Sequence, residues 1–345
     1  MQYIRVDANE IIGTGHVMRC LSIAEELHDR GEEVTFITAD TCSESMILER
    51  GFQTLCLYSV WNDLDQEIDI LIQVIKNNQI SLLLIDSYYV TELYLKAIGQ
   101  YTKTVYIDDI NRFIYPVDLL VNYNIYAKSL DYQSRYQKAG KNTRFVLGCR
   151  YVPLRKEFYN IKRAVARNIT SILITSGGSD NYAVTGHLLQ AIYMRRWFEH
   201  FNYYVILGRF NNYRDQLKEN WGEYKNIHLL TDVKNISEYM KYCDVAITAG
   251  GVTIYELCAC GIPSIMYTLA DNQLGIARSV SESGVIPWVG DVREDMQGCI
   301  SRALDYIEQY DTNVDDLQHI SQKMQDIVDG KGGKYLVDYL LDRMI

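Results

Sequence analysis

The sequence predicts an α/β protein built from two doubly wound parallel sheets. Apolar runs of strand length alternate with stretches whose apolar residues recur at helical spacing, as in parallel sheets that helices cover on both faces. A glycine-rich turn joins the first strand to the first helix, and the order of strand, glycine turn and helix restarts near Thr170. With 345 residues, the chain is long enough for two domains with sizeable cores.

The first half begins with a strand at 3–6, followed by the glycine turn and a helix that Gly31 ends. The next run, at 33–38, reads as the second strand. The remaining predicted elements of this half are helices at 45–50 and 64–77 and strands at 53–57, 81–86, 104–109 and 118–122.

The second half follows a connector at 149–158. It opens with a strand at 170–175, a glycine turn at 176–180 and a helix at 182–195. Another glycine turn, containing Gly250 and Gly251, opens a helix that Gly261 and Pro263 terminate. Further strands are predicted at 203–207, 227–230, 245–248 and 264–267, and a final helix near 335–344.

The chain is organised around the first glycine turn, which contains Gly13, Gly15 and His16. The opening turn of a helix has unpartnered backbone N–H groups and a partial positive charge, and glycines let a ligand approach the backbone closely. Because a positive helix end disfavours the imidazolium form, His16 is expected to accept a proton as a general base. The alternative interpretation is a histidine that caps or packs.

The same turn partly fits the dinucleotide-binding fingerprint. Gly13 and Gly15 occupy its first two positions, but Met18 stands at the third, where close packing of helix on strand needs Gly or Ala. Asp40 ends the next apolar run and could bind a ribose. A nicotinamide-dependent oxidoreductase therefore stays open as an alternative.

Polar residues follow several strands of the first half. Ligands of open parallel sheets bind outside the carboxyl ends of the strands, so these residues share an edge with His16. Taken singly, each is typical of a helix cap or a turn. They are Asp86, Tyr88, Asp108, Asp109 and Asn122.

The two glycine turns of the second half favour an anion, because helix ends and backbone N–H groups replace a basic patch there. A diphosphate suits an acidic protein of this kind. Glu256 lies about one turn into its helix, where it could bind both hydroxyls of a ribose or face solvent. Two such halves imply a ligand in the cleft between them.

The composition and the missing motifs disfavour several classes of function. A formal net charge of −10 disfavours nucleic acids and anionic membranes as partners, and no apolar run reaches membrane-spanning length. Eight cysteines without a C-x-x-C pair indicate buried free thiols in a reducing compartment, so a cytoplasmic location and no metal are expected. The motifs of P-loop nucleotide hydrolases, zinc proteases and serine hydrolases are missing from the sequence.

The opening Arg5-Val6-Asp7-Ala8-Asn9 and the stretch 12–21 closely resemble the start of the PseG/SpsG family. Its members are UDP-2,4-diacetamido-2,4,6-trideoxy-β-L-altropyranose hydrolases of pseudaminic acid biosynthesis and their spore-coat polysaccharide relatives. The likeness spans nearly the whole chain, and the His16 segment is its most specific part. It continues through 85–86 with Tyr88, 107–109, 118–122, Gly148 with Tyr151, 154–158, 176–180, 249–251 with Glu256, 272–273 and 329–332.

The resemblance implies a GT-B fold, with two Rossmann-like domains facing a central cleft. The expected domains are 1–155, which carries His16, 156–330, which binds UDP, and a C-terminal helix in 331–345 that crosses back to the first domain. The implied activity is hydrolysis of a UDP-sugar with His16 as the catalytic residue and without a cofactor. Implied substrate-binding residues are Asp7, Gly13, Gly15, Arg19, Tyr88, Arg155, Asn272 and Gln273, and implied UDP-binding residues are Ser176, Gly177, Gly178, Asp180, Gly250, Gly251, Val252, Thr253 and Glu256.

One departure concerns the sugar. Where relatives commonly read Asp-His-Tyr-Gly, this chain reads Asp86-Ser87-Tyr88-Tyr89, so the hexose it takes is expected to differ. Two further functions stay open: a glycosyltransferase that uses a UDP-sugar donor, and a non-catalytic nucleotide-sugar binding protein. The expected partners are a UDP-sugar substrate and the UDP product, and the protein is expected to be a monomer or a weak dimer.

Overall fold

The computed structural model describes residues 2–161, 168–197 and 199–344. The chain forms two compact units, Met1–Arg155 with Lys331–Ile345, and Lys156–Gly330. Each unit contains one parallel sheet with helices between most successive strands. The predicted fold class is confirmed.

The sheet of the first unit has seven strands. They are β1 (Gln2–Val6), β2 (Val34–Thr38), β3 (Gln53–Cys56), β4 (Leu82–Asp86), β5 (Lys103–Ile107), β6 (Leu119–Asn122) and β7 (Arg144–Leu147). Their order is β3-β2-β1-β4-β5-β6-β7, so the direction of winding reverses between β1 and β4. In that pair, Val6 lies opposite Asp86.

Five helices connect these strands, and the core lies between the sheet and its helices. Buried Leu71, Ile75 and Tyr94 from the helices pack with Leu83 and Ile85 of β4. Full burial of such side chains contributes about 1.5–3 kcal/mol each. The helices are α1 (Gly15–Asp29), α2 (Glu44–Leu48), α3 (Ile68–Asn77), α4 (Glu92–Ile98) and α5 (Tyr132–Lys138).

The sheet of the second unit has six strands, in the order β10-β9-β8-β11-β12-β13. These are β8 (Ser171–Thr175), β9 (Asn202–Leu207), β10 (Ile227–Thr231), β11 (Val245–Ala249), β12 (Ser264–Thr268) and β13 (Trp288–Asp291). Winding reverses between β8 and β11. The helices are α6 (Val184–Met194), α7 (Arg214–Trp221), α8 (Ile236–Tyr242), α9 (Thr253–Cys260), α10 (Asp271–Glu282), α11 (Met296–Thr312) and α12 (Val314–Ile327).

The last helix, α13 (Gly332–Arg343), packs on α1 of the first unit. Gly332 allows the close approach, because a Cβ atom there would lie 2.3 Å from the carbonyl oxygen of Val152. Arg30 at the end of α1 donates to Asp338 at 2.7 Å. The guanidinium of Arg150 lies over the ring of Tyr335 at 4.7 Å.

The cysteines differ in part from the expectation of buried thiols. All eight are free, but Cys42 is exposed and Cys56 and Cys149 are half-buried. Cys42 lies in the turn after β2, which faces solvent. In the part of the chain that the structure describes, no helix has the length and apolarity to cross a membrane, and no cluster of three or more His, Cys, Asp or Glu could hold a metal ion.

Candidate functional site

Asn9 holds the turn between β1 and α1 through hydrogen bonds to backbone N–H groups of the turn. The side-chain oxygen of Asn9 accepts hydrogen bonds from the N–H groups of Ile11 and Ile12 at 2.9 and 3.1 Å. Gly13 donates to the carbonyl of Asn9 and has φ of 72°, a conformation that favours glycine. The turn therefore places His16, the second residue of α1, at the carboxyl edge of the sheet.

His16 pairs with Asp86, the last residue of β4. Its Nδ1 lies 2.6 Å from Oδ1 of Asp86, and the two residues are only 6 % and 1 % exposed. Burial raises the pKa of the Asp86 carboxyl, but Arg19 and His16 outweigh burial and hold this pKa well below its usual range. An ionised carboxylate only accepts hydrogen bonds, so the 2.6 Å contact assigns a proton to Nδ1 and leaves the lone pair of a neutral imidazole on Nε2. Nη2 of Arg19 also lies 3.1 Å from Nδ1, but it makes its shorter hydrogen bond to Asp86.

This arrangement gives His16 the geometry of a general base. The pair lies where β1 and β4 meet, which is the switch point of the winding. In open α/β sheets the ligand crevice lies outside that point. A carboxylate that orients an imidazole and stabilises its charged form is the usual device for proton abstraction.

Arg19 lies one turn after His16 and is 3 % exposed. Its Nε and Nη2 each donate to Asp86 at 2.5 Å, and its Nη1 donates to Asp109 at 2.8 Å and to the hydroxyl of Tyr123 at 2.5 Å. Burial lowers the pKa of Arg19, but Asp109 and Asp86 outweigh burial and raise it. The guanidinium therefore hydrogen-bonds to two carboxylates of the protein itself. The sequence did not indicate this role.

Tyr88 lies beside the imidazole. Its ring meets that of His16 edge to face, with 4.5 Å between centroids, and its hydroxyl donates to Asp109 at 3.0 Å. The ring of Tyr89 packs edge to face on that of Trp61, with 5.2 Å between centroids. A small depression opens at this place, lined by His16, Asp86, Asp7, Ile12, Ser87, Tyr88 and Tyr89.

Asp7 enters the depression from the end of β1. Its Oδ2 accepts from Arg5 at 2.5 Å, and its Oδ1 accepts from the N–H of Ala39 at 2.7 Å. Arg5 is itself buried and makes two bonds of 2.7 Å to Glu67. Burial raises the pKa of Asp7, although Arg5 opposes the shift.

Two polar residues predicted at this edge turn toward tyrosines instead. Asp108 accepts from the hydroxyls of Tyr132 at 2.5 Å and Tyr115 at 3.1 Å. Asn122 donates to the hydroxyl of Tyr132 at 3.0 Å. Both side chains are fully buried, so they organise the tyrosine-rich interior of the unit.

In the second unit, the two glycine turns are neighbours because β8 and β11 are paired. The first turn, at 176–178, follows β8, and the second, at 250–252, follows β11 and leads into α9. Ser176 and Tyr267 are hydrogen-bonded through their hydroxyls at 2.7 Å. Gly208 packs against the first turn so closely that a Cβ atom would lie 2.1 Å from the carbonyl oxygen of Gly177.

The other predicted nucleotide-binding residues surround these turns. Asp180 is buried and accepts from the N–H groups of Val184 and Thr185 at 2.8 and 2.9 Å, so it caps α6. Val252 precedes α9 and Thr253 begins it, while Glu256 is half-buried in its first turn.

The predicted sugar-binding residues of the second unit lie on α10. Asn272 is exposed, and Gln273 accepts from the N–H of Leu269 at 2.9 Å. Gly251 is near Gln273, since a Cβ atom there would lie 3.9 Å from its Nε2. Arg155 is half-buried in the segment that ends the first unit's main stretch.

Residues 172–282 match the glycosyltransferase family 28 C-terminal domain, and both glycine turns lie within this match. The spore coat polysaccharide biosynthesis protein SpsG of Bacillus subtilis is 26 % identical over 79 % of this chain and 78 % of its own length. An uncharacterized protein of Methanocaldococcus jannaschii is 29 % identical over 79 % of this chain, and the match spans only 56 % of that protein. The crystal structure of Acinetobacter baumannii MurG superposes with a TM-score of 0.69, at 14 % identity, over 99 % of this chain and 100 % of MurG.

The fold is GT-B. Both parallel sheets and the superposition over the whole length of MurG support this conclusion. The resemblance to the PseG/SpsG family is confirmed by the similarity to SpsG. The GT-B chain thus carries its buried Asp86–His16 pair in the first unit and two adjacent glycine turns in the second.

Proposed function

We propose that this GT-B protein is an enzyme of surface polysaccharide or nonulosonic acid biosynthesis that hydrolyses a UDP-sugar. The products are UDP and a free diacetamido-trideoxyhexose. The observation that carries the proposal is the Asp86–His16 pair at the switch point of the first sheet. The similarity to SpsG and the family 28 match support a nucleotide-sugar substrate.

In the proposed reaction, Nε2 of His16 removes a proton from water while the water oxygen attacks the anomeric carbon. The bond from that carbon to the diphosphate oxygen breaks, and UDP leaves with the electron pair. Attack opposite to the leaving group inverts the anomeric centre. Asp86 keeps Nδ1 protonated and stabilises the imidazolium that forms.

The second unit supplies the UDP site in this proposal. The N–H groups of the turns at 176–178 and 250–252 and the start of α9 offer partial positive charge to the diphosphate. Glu256 accepts from the ribose hydroxyls. Asp7, Arg155, Asn272 and Gln273 remain proposed contacts of the sugar.

The test is UDP release from UDP-2,4-diacetamido-2,4,6-trideoxy-β-L-altropyranose in the absence of any acceptor. His16→Ala is expected to lower kcat by on the order of 100- to 10,000-fold, the usual worth of a general base, while the Kd for UDP stays within about threefold. His28→Ala is the matched control, because His28 lies on the same helix but is exposed at its last turn. Full activity of His16→Ala would remove His16 from the mechanism.

A glycosyltransferase is the second candidate, and the family 28 match favours it specifically. Hydrolysis and transfer share the donor and differ in what accepts the sugar. UDP release that requires an acceptor extract would replace the hydrolase with a transferase. UDP binding with no turnover under either condition would point first to a UDP-sugar with a different hexose, because Ser87 and Tyr89 depart from the family pattern. If other UDP-sugars are not turned over either, a non-catalytic nucleotide-sugar binding protein remains.

A further inference from the structure

We propose that Asp109 is a positioning residue, which holds the imidazole of His16 in its reactive orientation through Arg19 and Tyr88. The proposal rests on the proposed role of His16 as the base. Five side chains form a closed circuit: His16, Asp86, Arg19, Asp109 and Tyr88. Asp109 is the residue at which the path through Arg19 and the path through Tyr88 meet.

The first path runs through Arg19. Its planar guanidinium bridges two carboxylates, since Nε and Nη2 bind Asp86 while Nη1 binds Oδ2 of Asp109 at 2.8 Å. A guanidinium held at both edges cannot rotate about its own axis without breaking charge-assisted hydrogen bonds. Asp109 therefore fixes the orientation of the Asp86 carboxylate, which in turn binds Nδ1 of His16.

The second path runs through Tyr88. Its hydroxyl donates to Oδ2 of Asp109 at 3.0 Å, the oxygen that also accepts from Arg19, and its ring packs against the imidazole of His16. Because the hydroxyl is held at its far end, the ring keeps its edge-to-face contact with His16. Asp109 thus acts on the imidazole from two sides.

The carboxylate of Asp109 is itself held in place by Asn124, whose Nδ2 donates to Oδ1 at 2.9 Å. The hydroxyl of Tyr126 donates to the backbone carbonyl of Asp109 at 2.6 Å, not to the carboxylate. Nδ2 of Asn124 also donates to Oδ1 of Asn122 at 3.0 Å, so the NH₂ group of Asn124 is the end that faces Asp109. Both carboxylate oxygens of Asp109 therefore meet donors, and an amide in its place would turn an NH₂ group toward one of them.

The first readout is steady-state kinetics of Asp109→Asn and Tyr88→Phe. Each variant is expected to lower kcat by on the order of 10- to 100-fold, because a small misplacement of the base is enough for such a loss. The KM is expected to stay within about threefold. The losses should not add in the double variant, because both substitutions break the same contact.

The matched control is Tyr126→Phe. It removes a hydroxyl that binds the backbone carbonyl of Asp109 and leaves the carboxylate contacts intact. Its kcat is expected to stay within about twofold of the parent. A loss in Tyr126→Phe equal to that in Asp109→Asn would show a general structural effect and overturn the proposal.

The second readout needs no substrate. Long-range ¹H–¹⁵N correlation spectra of the imidazoles, taken at about pH 8 where a free imidazole is neutral, report which ring nitrogen carries the proton. The signals that disappear in His16→Ala identify His16. The parent should show a single tautomer protonated on Nδ1, whereas Asp109→Asn and Tyr88→Phe should show ¹⁵N shifts moved toward a mixture of the two tautomers.

The two readouts separate this proposal from the proposed function. A parent protein that releases no UDP would contradict the hydrolase, while the spectra would still decide whether Asp109 holds His16. Unchanged His16 spectra in both variants would overturn the positioning role, whatever the kinetics show. Should Asp109→Asn not fold, Tyr88→Phe, which removes only one hydroxyl, decides the question by both readouts.

Discussion

Three buried aspartates of the first unit respond differently to burial. Arg19 and His16 keep the pKa of Asp86 below its usual range in spite of burial. For Asp7 and Asp108, burial prevails over their hydrogen bonds and raises the pKa. Asp86 accepts two bonds from one guanidinium and a third from an imidazole. Asp7 accepts a single bond from the Arg5 guanidinium, which also binds Glu67, and Asp108 accepts mainly from neutral hydroxyls and amides.

These shifts predict the acid response of Asp86. Because its folded pKa lies below the unfolded value of about 3.9, its contribution to stability is complete above about pH 4 and is lost as the pH falls through the folded pKa. Asp7 and Asp108 act with the opposite sign, because a raised pKa favours the folded state as they protonate. In Asp86→Asn, the free energy of unfolding is expected to fall less steeply below about pH 4 than in the parent.

Urea titrations at a series of pH values from about 2 to 7 measure this slope. Asp118→Asn is the control, because this exposed carboxylate lies at the other end of the sheet and accepts from Thr104. An acid slope of Asp86→Asn equal to that of the parent would contradict the prediction.

At the residue scale, the sequence identified His16 because its signal is local. The flanking Gly13 and Gly15 lie within three positions of it. The carboxylates that bind His16 and Arg19 lie 67 to 90 positions away in the chain, and only the adjacency of β1, β4 and β5 brings them together. Residue patterns did predict that Asp86 and Asp109 lie at the same sheet edge as His16, but they could not show that Arg19 joins the two carboxylates.

At the element scale, the sequence predicted the central strands and missed two at the sheet edges. β7 (Arg144–Leu147) and β13 (Trp288–Asp291) are the last strands of their sheets. An edge strand has one neighbour and less burial, so it needs no continuous apolar run. β7 contains an exposed Arg144, and β13 contains Gly290 with φ of 116°.

The first residues of two helices differ from the predicted ones, and specific contacts explain both differences. The helix predicted at 182–195 begins at Val184, because Ala183 has φ of 54° and Asp180 caps the first N–H groups. The helix predicted at 335–344 begins earlier, at Gly332. Glycine is a poor helix former, and it is used there because α13 packs on the backbone of Val152.

Gly208 provides a test of the glycine turns. A Cβ atom at this position would lie 2.1 Å from the carbonyl oxygen of Gly177 and 2.5 Å from that of Gly178, so Gly208→Ala must push the turn at 176–178 away. We expect a loss of about 1–3 kcal/mol in the free energy of unfolding. If this turn binds the diphosphate, the Kd for UDP rises on the order of tenfold as donors move out of line.

The matched control is Gly186→Ala, inside α6. The nearest atom to a Cβ atom there is a methyl carbon of Leu217 at 3.7 Å, an ordinary contact. Alanine in a helix interior is expected to stabilise by about 0.5–1 kcal/mol and to leave UDP binding unchanged. Urea unfolding and titration calorimetry measure both effects. Gly208→Ala with the parent's UDP affinity would remove the turn at 176–178 from the nucleotide site.

At the scale of the whole molecule, two separate segments of the chain form the first unit. The first segment ends at Arg155 and the second begins at Lys331. Leu336, Val337 and Leu340 of α13 are buried there, so the last helix completes the core of a unit whose sheet ended nearly two hundred residues earlier. Sequence periodicity predicted a helix at this end of the chain, but the neighbour it packs on had to come from the family resemblance.

This topology predicts that damage to α13 destabilises the first unit selectively. Leu336→Ala and Leu340→Ala each remove a buried side chain and are expected to cost about 2–5 kcal/mol. Tryptophan positions report the two units separately, since Trp61 belongs to the first and Trp197, Trp221 and Trp288 belong to the second. In protein labelled with 5-fluorotryptophan, the ¹⁹F signal of Trp61 should lose its folded position at lower urea in the variants, while the midpoints of the other three stay in place. Leu93→Ala, at an exposed position of α4, should move none of the four signals. Equal shifts of all four in the α13 variants would mean that the two units unfold as one, and that the returning helix stabilises the whole chain rather than the unit it packs on.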